Sequence, residues 1–177
     1  MDLNLTTKSQ EAVSAAVQLA AATGNAHVEP SHLLATLLGQ DEGIAGALLT
    51  AVGVDRADLT AAVEQQVQSL PSASGSSVSA PQMSQAFLRD LQDAQTLASD
   101  RGDEFISTEH LLIALAKNEP TAALLDARGA TPVALSEALE QVRGSRRVTS
   151  ADPEGTFQAL EKYGQDLTAL ARDGKID

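Results

Sequence analysis

There is no cysteine among the 177 residues, which rules out disulfides and thiolate-bound metals and fits a reducing compartment. Tryptophan is also absent, and Phe87, Phe105, Phe157 and Tyr163 are the whole aromatic complement of a chain that is 43% apolar. The core must therefore be aliphatic, and Ala- and Leu-rich sequence with few β-branched runs favours helices that approach closely. Positive charge is scarce: twelve basic against twenty-four acidic residues give a net charge of −12. Nucleic acid and anionic membranes attract the opposite sign, so neither is an expected partner. No apolar run approaches the roughly 20 residues of a membrane span, and no basic-then-apolar leader opens the chain. These absences predict a soluble, acidic, cytoplasmic, all-α protein with one compact domain and a tail.

What is present is a repeat. Leu19, Ala20, Gly24, Val28, His32, Leu33, Leu34 and Leu37 match Leu97, Ala98, Gly102, Ile106, His110, Leu111, Leu112 and Leu115 at a constant offset of 78. After a two-residue deletion, Leu48, Leu49, Gly53, Leu59 and Val63 match Leu124, Leu125, Gly129, Leu135 and Leu139 at an offset of 76. A tandem duplication of roughly 65 residues predicts a pseudo-symmetric module in which each copy buries its apolar face on the other. Such modules serve more often as binding scaffolds than as catalysts.

Start and stop signals agree between the copies. A first helix is expected over Thr7–Thr23, with Thr7 and Gln10 as a capping box and Gly24-Asn25 as the stop. A second starts near Pro30, and its counterpart at Thr108 has Ser107 as N-cap. A short third helix covers Ile44–Ala51, and a fourth follows Asp55, where the second copy has Thr131-Pro132. Repeat one thus spans about 5–69, a Ser/Pro/Gly-rich loop 70–82, and repeat two about 83–143, within a domain over 1–144. The remainder, 145–177, is a polar break and then a helical stretch over Thr156–Arg172, where Phe157, Leu160, Tyr163, Leu167 and Leu170 form an apolar stripe. An amphipathic helix at an abrupt end suggests a linker into a longer chain, mobile or only opportunistically docked.

Chemistry-bearing residues are sparse. His32 and His110 share one repeat position near a helix start, so each is either a packed histidine bonded to the preceding turn or half of a metal or base site. Neither has an acidic or histidine partner three or four residues on, which argues against a metal. No Gly-x-Ser-x-Gly and no phosphate-cradling glycine pattern occurs. The acidic pairs Asp41-Glu42 and Asp103-Glu104 read as solvated loop charge. The chain is expected to be neither an enzyme nor a cofactor protein. The copies differ where Phe87 and Leu88 stand opposite Ser9 and Gln10, and Phe105 opposite His27. Either these side chains pack locally, or they form an asymmetric apolar binding patch.

Repeats built around SHLLATLL and TEHLLIALA resemble the Clp N-terminal domain that precedes the ATPase modules of Hsp100 unfoldases, over Leu5 to Arg143. The tail, DPEGTFQALEKYGQDLTALARDGKID, looks like the junction into the first AAA+ module of ClpB-type disaggregases; ClpC relatives share DLTALA but usually not LEKYG. The resemblance implies a module that engages unfolded or aggregated polypeptide above a hexameric ATPase ring. ATP, Mg and any Hsp70 partnership belong to other domains. The alternative it leaves is an adaptor- or degron-binding domain of a ClpC/ClpA-type protease-linked unfoldase. It implies client-binding roles for Thr6, Asp103 and Glu109, the last expected to face outward, beside the Phe87, Leu88 and Phe105 set. With Ser31 where a first-copy Glu would stand, a paired phosphoarginine site of the ClpC kind is not expected.

Overall fold

The structure, a computed structural model, describes residues 3–40, 43–72, 80–144 and 151. Among them are eight helices: α1 (Thr7–Ala22), α2 (Pro30–Gly39), α3 (Ile44–Ala51), α4 (Arg56–Gln68), α5 (Gln85–Asp100), α6 (Thr108–Lys117), α7 (Thr121–Asp126) and α8 (Pro132–Arg143). Helices α1–α4 form the first copy and α5–α8 the second, as the duplication predicts. The stops are set by glycine. Gly24 and Gly102 have φ of 70° and 75°, and Gly53 and Gly129 have 83° and 82°, so each pair of equivalent turns uses the same left-handed residue.

The start of α1 lies one residue from its expected place. Thr6 is the N-cap, its Oγ1 accepting the Ser9 N–H at 3.2 Å, while Gln10 donates to the Leu5 carbonyl at 3.1 Å. Ser84 caps α5 in the same way, accepting the Phe87 N–H at 3.0 Å.

The copies are joined by exchange of backbone. The two-residue strands β1 (His27–Val28) and β2 (Gln82–Met83) pair in parallel, so the entry to α5 lies on the entry to α2. The reciprocal contact is a parallel bridge between Leu5 and Ile106. Thr6 donates its N–H to the Ile106 carbonyl at 3.0 Å, and Ser84 donates to the Val28 carbonyl at 3.1 Å, equivalent bonds across a pseudo-twofold axis. The stretch 70–82, expected to lack order, therefore ends in a strand; its residues 73–79 lie outside the described part. A pair of two-residue strands has no periodic signature to read.

Helices α2 and α6 pack together at the centre, each also held by the other copy. Leu33, Leu34, Leu111 and Leu112 are fully buried there, so each copy closes the core of the other. Removing one such side chain costs on the order of 2–5 kcal/mol, because a packed core collapses only partly around the void. The expected tail helix over 156–172 lies outside the described residues. Before it, the Ala151 carbonyl accepts the Thr7 N–H at 2.6 Å, at the first turn of α1.

Candidate functional site

The bridge between Leu5 and Ile106 brings together residues that the sequence separates by a hundred positions. Segment 4–6 runs beside 104–107, with Ile106 donating to the Asn4 carbonyl at 2.7 Å. Thr6, Asp103, Phe105 and Glu109 thus lie on neighbouring segments. Three of these four are buried. Thr6 is fully enclosed and donates to the Ser9 hydroxyl at 3.0 Å while capping α1. Glu109 does not face outward: it is fully buried, as is every residue from Thr108 to Ala116. Its place after an N-cap predicted exposure, but α6 is the central helix, covered on all sides by its neighbours. Asp103 is not solvated loop charge either, because its side chain is fully buried between His110 and Arg143.

The histidines show how this polar interior is built. His110 Nδ1 accepts the Ser107 N–H at 2.9 Å, and its Nε2 lies 2.8 Å from Asp103 Oδ2. A nitrogen that accepts a backbone N–H carries no proton, so Nε2–H is the donor to Asp103. His32 repeats the arrangement, accepting from Glu29 at 2.8 Å and donating to Asn25 Oδ1 at 2.9 Å. In both copies a histidine three residues past the N-cap takes the part that Glu or Gln plays in a capping box. Burial lowers both imidazole pKa values, in His110 against the hydrogen bond to Asp103. With both ring nitrogens committed, these are packed helix-start histidines rather than bases. Among the described residues no group of three or more acidic or histidine side chains is placed to hold a metal. No helix of the described residues is long and apolar enough to cross a membrane.

The asymmetric apolar set divides. Phe87 is fully buried core, and its counterpart Ser9 is fully buried as well, so the position is interior in both copies whatever its polarity. Leu88 is 39% exposed and Met83 38%. They occupy the positions before the cap and four after it, the pair a hydrophobic staple uses. Phe105 is half-buried. Leu88, near the start of α5, and Asp103, just past its end, are separated by most of a sixteen-residue helix, about 24 Å long. The six residues therefore do not form one patch. On the segment beside 104–107, Leu3 and Leu5 are half-buried and pack against the core, apolar positions the sequence reading missed. Their alternation with Asn4 and Thr6 before a helix was the available signal.

Residues 4–128 match the family of the Clp repeat (R) N-terminal domain. The chaperone protein ClpB of Corynebacterium efficiens is 49% identical over 175 residues, 98% of this chain and 20% of that protein. The chain thus spans about a fifth of the length of such relatives. Among solved structures, the Hsp104 N-terminal domain from Candida albicans superposes with a TM-score of 0.75 at 18% identity, over 85% of this chain and 99% of that one. A ClpV N-domain in complex with a VipB peptide does so at 0.61 and 16% identity, over 83% and 90%. With its two reciprocal four-helix copies, the chain belongs to the Clp N-terminal repeat domain family, and the relatives it matches at 49% identity are ClpB chaperones.

Proposed function

We propose that this chain is the client-engaging N-terminal domain of a ClpB-type disaggregase, binding unfolded or aggregated polypeptide and handing it toward a hexameric ATPase ring. The observation that carries the reading is the Clp N-domain fold shared with ClpB relatives, with half-buried apolar residues (Leu3, Leu5 and Phe105) on the segments through which the two copies exchange backbone. Partly exposed apolar side chains suit sequence-tolerant, weak binding. Six copies on one ring would raise the effective affinity without any new contact. That a ClpV N-domain, alike in fold, takes a peptide supports a peptide-binding role here. Nucleotide and Mg chemistry, and dealings with an Hsp70 system, fall to the parent protein's other domains.

The test is a 15N NMR titration with a permanently unfolded casein. Shifts concentrated in 3–6 and 104–107 are expected, and alanine at Leu5 and Phe105 should weaken binding several-fold. A titration that leaves those segments unmoved would end this reading.

A further inference from the structure

We infer that Arg143, with Asp103 and His110, forms a buried clamp that positions the client-facing loop, and that Asp103 acts through this clamp rather than by touching client. The inference rests on the client-binding reading for its functional consequence only. The clamp spans three elements. Arg143, the last residue of α8, donates from Nη2 to Asp103 Oδ1. Asp103 Oδ2 takes the imidazole N–H of His110 at 2.8 Å, and His110 holds the N-cap of α6 through Ser107. The loop carrying Phe105 is thereby fixed at both ends, by Asp103 and by Ser107. Both carboxylate oxygens of Asp103 are engaged inward, and its side chain shows no surface to a client.

The duplication supplies the control. The counterparts of Asp103, His110 and Arg143 are Asn25, His32 and Val67. All six are buried at matching places in the two copies. Asn25 meets His32 as Asp103 meets His110, so the same fold accommodates a neutral version of the arrangement. At these three positions the second copy carries an acid and a base together and the first carries neither; the second copy adds Glu109, buried with Oε1 4.0 Å from His110 Nδ1, where the first has the buried Ser31. That is the pattern expected of a buried ion pair, in which one charge without its partner is strongly unfavourable and removal of both is tolerated. The charged version adds a directional link from the end of α8 to the loop, which Val67 has no means of making.

The experiment converts the clamp to the chemistry of the first copy, with Asp103→Asn, Arg143→Val, the double variant, and the double variant carrying Glu109→Ser as well. Each single change should lower Tm by roughly 10 °C, since a broken buried pair leaves one charge uncompensated. Each should also broaden the amide resonances of 103–107 and weaken casein binding. The double variant should be more stable than the sum of the single losses predicts, and with Glu109→Ser it should recover most of the Tm and bind casein within about two-fold of wild type. A double variant that regains stability but binds as poorly as Asp103→Asn would show that Asp103 contacts client, overturning the inference. Strictly additive losses of Tm would overturn the clamp itself. If wild type binds no casein, the client-binding reading fails while the Tm and amide cycle still decides the clamp.

Discussion

Asp90 offers a sharp test of the physics of this core. It stands on the buried face of α5, fully enclosed, where the first copy has the equally buried Ala12. Asn118 Nδ2 donates to Asp90 Oδ1 at 2.9 Å and also to Asp93 Oδ2 at 2.7 Å, so one amide bridges two carboxyl groups. Asp90 Oδ2 has no hydrogen-bond partner among the described residues. Burial, opposed by the Asn118 bond and reinforced by the neighbouring Asp93, raises its pKa from 3.8 to about 7. A raised folded pKa gives stability that is fully present below 3.8 and is lost as pH climbs through about 7. At pH values above both, the loss is on the order of 4 kcal/mol, of which about 3 kcal/mol falls between pH 5 and 8.5. Asp90→Asn keeps the shape and removes the titration, and Asp90→Ala installs the first copy's residue. Urea unfolding of wild type and both variants across pH 5–8.5 isolates the effect, since titrating groups other than Asp90 and its coupled neighbour Asp93 cancel in the difference. The stability of each variant relative to wild type should rise by about 3 kcal/mol over that range. A difference independent of pH would mean that Asp90 ionises freely in the fold, and the argument from its burial would be wrong.

Other consequences follow from the same interior. His32 and His110 are held below the ordinary imidazole pKa of 6.5. The unfolded chain therefore takes up protons first, and this part of the stability is present above pH 6.5 and lost as pH falls below it. Ring resonances of either histidine that titrate at or above 6.5 would contradict their burial as neutral rings. Thr6→Ala should cost about 1–2 kcal/mol in urea unfolding, because it removes an N-cap and the partner of the buried Ser9, whereas Thr6→Ser should be nearly silent. Equal stability of the two variants would dismiss the cap. Truncation after Gly144 loses the bond from Thr7 to the Ala151 carbonyl, and a single backbone bond is worth about 1 kcal/mol. Tm should fall by less than about 5 °C, and a larger drop would place the chain beyond 144 in the core.

The sequence by itself determined the repeat, the eight helices and most of their limits. Those features are local: Gly24, Gly53, Gly102 and Gly129 adopt the left-handed conformation just past a helix end, and two copies of one signal confirm each other. It also determined that the copies would bury one another, because neither apolar face closes alone. What a residue faces was decided only by the tertiary structure. Glu109 and Asp103 look solvated in sequence and are interior, since α6 is enclosed by both copies and Arg143 arrives from forty residues away. Phe87 looked like part of a patch and is core, for its counterpart Ser9 shows polarity rather than the burial they share. The pairing of Leu5 with Ile106 and of Val28 with Met83, which lays segment 4–6 beside 104–107, is not legible in the sequence beyond a short alternation at 3–6. Short strands are paired by packing around them, and packing is a property of the assembled helices.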